Sequence, residues 1–99
     1  MATKYSPHDA LRLIRRILNE GGYFRPTRHC RQRMRQRNVD DQDLSHLFDI
    51  GTIEKEPEWD DEHQTYKYRV EGHDLEGDEL IAVTVITEQD FRLVVVTVF

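Results

Sequence analysis

Apolar residues recur at helical spacing in the first half of the chain. Leu11, Ile14 and Leu18 stand three and four residues apart, which is typical of a helix with one buried face. The pair Ser6-Pro7 precedes this stretch and two glycines follow it, and such residues favour the start and the end of a helix. The pattern therefore predicts an N-terminal helix.

A second helix is predicted over residues 27–38, which read TRHCRQRMRQRN. Thr27 can cap its start, and Asn38 can take the left-handed conformation that ends a helix. Cys30 and Met34 stand four residues apart and form a narrow apolar stripe on one side. This side of the arginine-rich helix is therefore expected to lie on the core.

The stretches on either side of the arginine-rich helix carry boundary signals of their own. Tyr23–Pro26 is predicted to be a short extended lead-in, because the residue before a proline avoids the helical region. Asp40 can cap a third helix that ends at Gly51, with leucines and a phenylalanine at its inward positions.

From Thr52 onward the apolar period changes from 3.6 to 2, which is typical of strands. A charged edge strand is predicted first, and Pro57–His63 is predicted to be an acidic turn after it. The next strand alternates, so that Lys67 and Arg69 share one face while the tyrosines point to the other. The four predicted strands are Thr52–Glu56, Gln64–Glu71, Glu79–Thr87 and Phe91–Phe99.

The order of elements predicts an α+β fold, in which two to three N-terminal helices pack on a C-terminal four-stranded antiparallel β-meander. The length of 99 residues predicts one domain, 1–99. Its predicted parts are the N-terminal helix in 1–22, the arginine-rich helix and the capped helix in 23–51, and the antiparallel sheet in 52–99.

The net charge of −5 conceals a strong asymmetry along the chain. Residues 1–37 carry ten Lys or Arg and two Asp or Glu, a balance of +8, whereas residues 38–99 carry four and seventeen, a balance of −13. A basic half can bind a polyanion such as a nucleic acid. Alternatively, the two halves neutralise each other within the fold.

The sequence argues against a membrane, a metal and a cofactor. No apolar run approaches the roughly 20 residues that span a bilayer, and the N-terminus lacks an apolar signal-peptide core. With Cys30 as its single cysteine the chain suits a reducing compartment, so we expect a cytoplasmic protein. The histidines are scattered and no metal-binding or nucleotide-binding motif occurs, so neither a metal nor a cofactor is expected.

The candidate chemistry centres on His29, Arg33 and Arg37, which stand four apart and share one stripe of the arginine-rich helix. Cleavage of a phosphodiester bond without a metal needs a group that moves a proton and cations that stabilise the developing charge. A histidine titrates near neutrality, and arginines bind phosphate in a bidentate manner. Lys67 and Arg69 can supply an opposing wall, so these five residues are the candidate catalytic set.

Each of these residues also has a structural interpretation. His29 can be a cap or a hydrogen-bond partner at the start of its helix. Arg33 and Arg37 can pair with the carboxylates Asp40, Asp41 and Asp43 and so lock the second helix to the third. Lys67 and Arg69 can form cross-strand pairs with acidic neighbours. From the residues alone both interpretations stay open.

The stretch from His29 to Val39 has the pattern H-x-x-x-R-M-x-x-R-x-V, and a capped helix ending at Gly51, the tripeptide Tyr68-Arg69-Val70 and a terminal VVTV run follow it. This arrangement resembles a bacterial family of small uncharacterised domains, over roughly residues 24–99. That family is similar in layout to RelE/ParE/BrnT-like toxins, compact ribonucleases and gyrase poisons that usually work opposite an antitoxin.

The resemblance implies a toxin-like domain that cleaves or binds RNA without a metal, possible endoribonuclease activity, and an antitoxin as partner. RelE-like ribonucleases commonly carry catalytic residues near the C-terminus, whereas this chain ends in Val96-Thr97-Val98-Phe99, without His, Arg or Tyr. The alternative is a non-enzymatic protein-interaction or regulatory module of the same fold. The oligomeric state is left open.

Overall fold

A computed structural model describes residues 2–99 and contains three helices and a five-stranded mixed sheet, so the α+β class is confirmed. A single 3-10 turn, Glu88–Asp90, joins the last two strands. The elements in chain order are α1 (Pro7–Asn19), β1 (Tyr23–Pro26), α2 (Arg28–Arg37), α3 (Asp41–Ile50), β2 (Glu58–Asp60), β3 (Thr65–His73), β4 (Glu79–Thr87) and β5 (Arg92–Val98).

The strand order β1-β5-β4-β3-β2 corrects the prediction of four antiparallel strands. The predicted lead-in Tyr23–Pro26 is a fifth strand, which runs parallel to β5, with Tyr23 opposite Arg92 and Pro26 opposite Val95. The other neighbours in the sheet are antiparallel. The sequence did not reveal β1 because its pairing partner comes only at the other end of the chain.

The first strand of the predicted meander was also misplaced. Thr52–Glu56 is not a strand, since only Thr52 forms an isolated bridge, to Glu71. The edge strand is instead β2, which lies inside the segment predicted as an acidic turn. The physical reason is the side chain of Trp59, which packs edge-on against Tyr66 of β3 with the ring centres 4.8 Å apart and anchors these residues to the sheet.

The predicted helix boundaries are confirmed by their capping contacts. The side chains of Ser6 and Thr27 accept hydrogen bonds from the first turns of α1 and α2. Asp40 and Asp43 form a reciprocal capping box at the start of α3. Asn38 has a φ of 57° and ends α2 in the left-handed conformation.

All three helices pack against the same face of the sheet. On this face alternate residues of the central strands are fully buried, together with the inward side chains of the helices. Arg15 of α1 also reaches the end of α3, where its guanidinium donates hydrogen bonds to the main-chain carbonyls of Phe48, at 3.1 Å, and Gly51, at 2.7 Å. The opposite face, which we call the open face, carries no helix.

Candidate nucleic-acid interface

Helix α2 is held on the sheet by its apolar side and by its cap. The side chains of Cys30 and Met34 are buried, as predicted. The backbone N–H of Thr27 donates to the carbonyl of Val95 at 3.0 Å, and its hydroxyl donates to the carbonyl of Val96 at 2.9 Å. These contacts fix which side of α2 faces away from the core, and that side carries the arginines.

Arg33 and Arg37 bind main-chain carbonyl groups rather than carboxylates. The Nε of Arg33 donates to the carbonyl of Val98 at 3.4 Å, and an Nη of Arg37 donates to the carbonyl of Glu79 at 2.8 Å. A guanidinium has five N–H donors, and a neutral carbonyl does not cancel its charge. Both side chains therefore keep their positive charge and most of their donors.

The predicted alternative, in which these two arginines pair with the start of α3, is realised by a different residue. Arg31 forms the ion pair with Asp41, with a nitrogen–oxygen distance of 2.6 Å. Asp43 accepts hydrogen bonds from backbone N–H groups instead. The ion pair between α2 and α3 therefore uses an arginine that lies outside the stripe of His29, Arg33 and Arg37.

His29 is exposed and stands one turn before Arg33 on the same side of α2. In residues 2–99 its ring forms no hydrogen bond and no ion pair, so the interpretation as a cap has no contact behind it. The N-terminal cap of α2 is Thr27. An imidazole in this position is open to solvent and to a ligand that lies along the helix.

Two further arginines of α2, Arg28 and Arg35, are exposed, and within residues 2–99 no carboxylate lies within 4.0 Å of either. Of the five arginines in this helix only Arg31 is neutralised by an acid. Arg28 and Arg35 are not among the predicted site residues because they lie off the stripe of His29. The sequence does indicate that they are unpaired within the helix, because α2 contains no acidic residue.

Lys67 and Arg69 lie on the open face of the sheet, as the alternation predicts. They line a cavity of about 390 Å³ together with Phe99 and Glu58. The guanidinium carbon of Arg69 is 5.4 Å from the centre of the Phe99 ring, which is within the range of a cation–π contact. His29, Arg33 and Arg37 do not line this cavity. The five candidates therefore form two groups, in different layers of the fold.

Lys67 shows the cross-strand pairing that was the structural alternative for it. Its Nζ is 3.9 Å from Asp60 Oδ2, at the edge of the sheet. Hydrogen bonds from His63 hold the pKa of Asp60 below its usual range, and the charge of Lys67 acts in the same direction. Burial raises the pKa of the Cys30 thiol to about 11, which disfavours the thiolate form that acts as a nucleophile.

The fold and the helix together define a small α+β domain that presents an arginine-rich helix over the end of a mixed sheet. The chain belongs to the family described as Domain of unknown function (DUF4258), and the match covers residues 27–99. The expectation of an uncharacterised family is thus confirmed. No curated protein and no solved structure matches the chain.

The match begins at the cap of α2, so α1 and β1 lie outside it. Residues 2–99 contain no group of three or more His, Cys, Asp or Glu side chains placed to hold a metal ion. No helix in the same residues is long and apolar enough to cross a membrane.

Proposed function

We propose that this protein is a toxin-like domain that binds RNA through the exposed side of α2. The single observation that carries the proposal is the state of its arginines, of which only Arg31 is paired with a carboxylate within residues 2–99. Uncompensated guanidinium groups along one helix can bind the phosphates of an RNA backbone. Phosphate contacts of this kind require no metal.

The proposed cleavage step uses His29 as a general base. Its ring accepts the proton of a 2′-hydroxyl, and the freed oxygen attacks the adjacent phosphorus while the 5′-oxygen leaves with a proton from water. Arg33, one turn further along α2, binds the phosphate oxygens on which charge develops, and Arg37 holds the next phosphate. Lys67 and Arg69 line a cavity that contains neither His29 nor Arg33, so we leave them out of the catalytic set.

The proposed partner of such a domain is an antitoxin protein that neutralises it. Its binding segment would be acidic, because carboxylates can form bidentate ion pairs with the same guanidinium groups that bind phosphate. The partner and RNA would then compete for one surface, and both interactions would weaken as salt rises.

The second candidate function is a module that binds without cleaving. One observation favours it, namely that Lys67 and Arg69 lie on the open face, away from His29. A cleft with cations on both sides of the scissile phosphate is therefore not formed by the five candidates together. Binding by α2 alone needs no such cleft.

The two candidates are separated by measuring RNA binding and RNA cleavage on the same purified protein. Labelled single-stranded RNA is incubated with the wild type, His29→Ala and the control His8→Ala, which changes an exposed histidine on α1. We expect cleavage in the presence of EDTA, lowered at least about 100-fold by His29→Ala and unchanged by His8→Ala, with RNA affinity kept in all three.

Binding without cleavage in the wild type would favour the module. The absence of binding at low salt would overturn the proposed function. Undiminished cleavage by His29→Ala would remove the histidine from the mechanism while leaving RNA binding in place.

A further inference from the structure

The open face of the sheet is half-buried although no helix covers it. Its centre is an apolar stripe on β4 and β5, made of Ile81, Val83, Val85 and Val94. Long side chains on the outer strands shield this stripe only in part. A sheet face of this kind gains stability when a second layer removes its apolar centre from water.

The open face also carries polar groups whose partners are missing. In residues 2–99 the buried side-chain nitrogen atoms without a hydrogen-bond partner are Arg69 Nε and Arg92 Nε, and both belong to this face. Glu58 and Glu71 lie on the same face and have no cation within 4.0 Å in this part of the chain. The face thus holds unmatched donors and unmatched acceptors together.

The register of the strands arranges these groups in a row with opposite charges at its two ends. Arg25 on β1 stands opposite Val94, and Val94 stands opposite Val85. At the other side of the sheet Lys67 stands opposite Glu58 on β2. The row therefore begins with an exposed arginine, crosses the apolar stripe and ends with an exposed glutamate.

We infer that the open face binds a second copy of this chain, face to face, as a symmetric dimer. A two-fold axis parallel to the strands and close to β4 sets β1 of one copy opposite β2 of the other. Arg25 of each copy then faces Glu58 of the second copy, and the β4 residues Ile81, Val83 and Val85 of the two copies pack against each other. The same surface serves on both sides, as a two-fold interface requires.

The size of the open face limits the expected affinity of the dimer. The three central strands have seven to nine residues and the edge strands three or four, so with four spacings of about 4.8 Å between strands the face measures at most roughly 20 by 25 Å. This is smaller than the roughly 800 Å² that each partner buries in an interface of standard size. The dimer is therefore expected to dissociate in the micromolar range.

The dimer does not depend on RNA binding, because α2 lies in the other layer of the fold. Sedimentation equilibrium without RNA is measured for the wild type, Arg25→Glu, Glu58→Arg and the double variant. Arg28→Glu is the matched control, since it changes an exposed arginine on α2. We expect each single charge reversal to raise the dissociation constant of the dimer about tenfold. The double variant should regain the wild-type dissociation constant, and the control should keep it.

A wild-type protein that stays monomeric up to about 100 µM would overturn the proposal of a dimer, even if the open face binds some other partner. The proposal would also be overturned if neither single charge reversal weakened the dimer, or if the double variant did not regain the wild-type dimer affinity. The face-to-face arrangement requires the contact between Arg25 and Glu58. Circular dichroism of each variant checks that the fold is kept. We expect an unchanged spectrum because Arg25 and Glu58 are exposed.

Discussion

The guanidinium of Arg37 donates a hydrogen bond to the main-chain carbonyl of Glu79, at 2.8 Å, and does not pair with the carboxylate of that residue. Arg33 makes the corresponding contact with the carbonyl of Val98. These contacts hold the two side chains at the end of the sheet without cancelling their charge. The positive surface of α2 thus exists in a protein whose net charge is −5, because the carboxylates lie elsewhere.

Replacing Arg15 by Met should destabilise the protein by about 1–3 kcal/mol. The guanidinium of Arg15 binds two carbonyls at the C-terminal end of α3, where the last turn holds no basic residue of its own. Methionine keeps the apolar stem and leaves these carbonyls without that donor. The measurement is the free energy of unfolding in urea.

The control for Arg15 is Arg12→Met, at an exposed position of the same helix, which should change the free energy of unfolding by less than about 0.5 kcal/mol. Equal losses in the two variants would contradict the proposed role of Arg15, since only one of them touches α3.

Replacing Asp43 by Ala should lower the free energy of unfolding by about 2–3 kcal/mol at neutral pH, as measured by unfolding in urea. The buried carboxylate accepts backbone hydrogen bonds from Asp40, at 3.0 Å, and from Leu75, at 2.9 Å. Burial opposes ionisation of this group, but these donors outweigh it and hold its pKa below the usual value. The variant removes the capping box and the attachment of the loop that contains Leu75.

The lowered pKa of Asp43 also sets the pH dependence of this difference. A carboxyl group with a lower pKa in the folded state stabilises the protein above its unfolded pKa, and this contribution is lost as the pH falls through the folded value. The difference in the free energy of unfolding between the wild type and Asp43→Ala should therefore become smaller below about pH 4. A constant gap, or an equal loss in the exposed control Asp49→Ala, would contradict the account.

Residues 27–99, the part that matches the family, should not fold cooperatively alone. Ala10, Ile14 and Ile17 of α1 are fully buried, and β1 completes the sheet beside β5. Burial of one such isoleucine contributes about 1.5–3 kcal/mol, and the whole domain has only about 5–15 kcal/mol to lose. Thermal unfolding of the fragment tests this, and a sharp transition like that of the whole chain would refute it.

Helix boundaries were predictable because their signals are local. Ser6, Thr27 and Asp40 cap their helices through contacts three residues away, and Asn38 ends α2 through its own backbone conformation. The limits of β4 also agreed with the prediction, since an uninterrupted apolar run marks a central strand. Each of these features depends on neighbours in the sequence.

What the sequence did not reveal depends on distant contacts. β1 is a strand only because β5 lies beside it, and β2 is held by the contact between Trp59 and Tyr66. The stripe of His29, Arg33 and Arg37 was foreseen as a helix face, but the carbonyls that bind the two arginines come from the far end of the chain. The separation of Arg69 from this stripe likewise follows from the way the layers pack.

The most direct test of the account is the salt dependence of RNA binding by the wild type and by the double variant Arg28→Gln/Arg35→Gln. If the exposed arginines of α2 bind phosphates, the double variant should bind single-stranded RNA more weakly, and the slope of log K against log salt should fall by about 0.7 for each arginine lost. The control Arg12→Gln on α1 should keep the wild-type slope. Unchanged affinity and slope in the double variant would contradict the claim that α2 is the nucleic-acid interface.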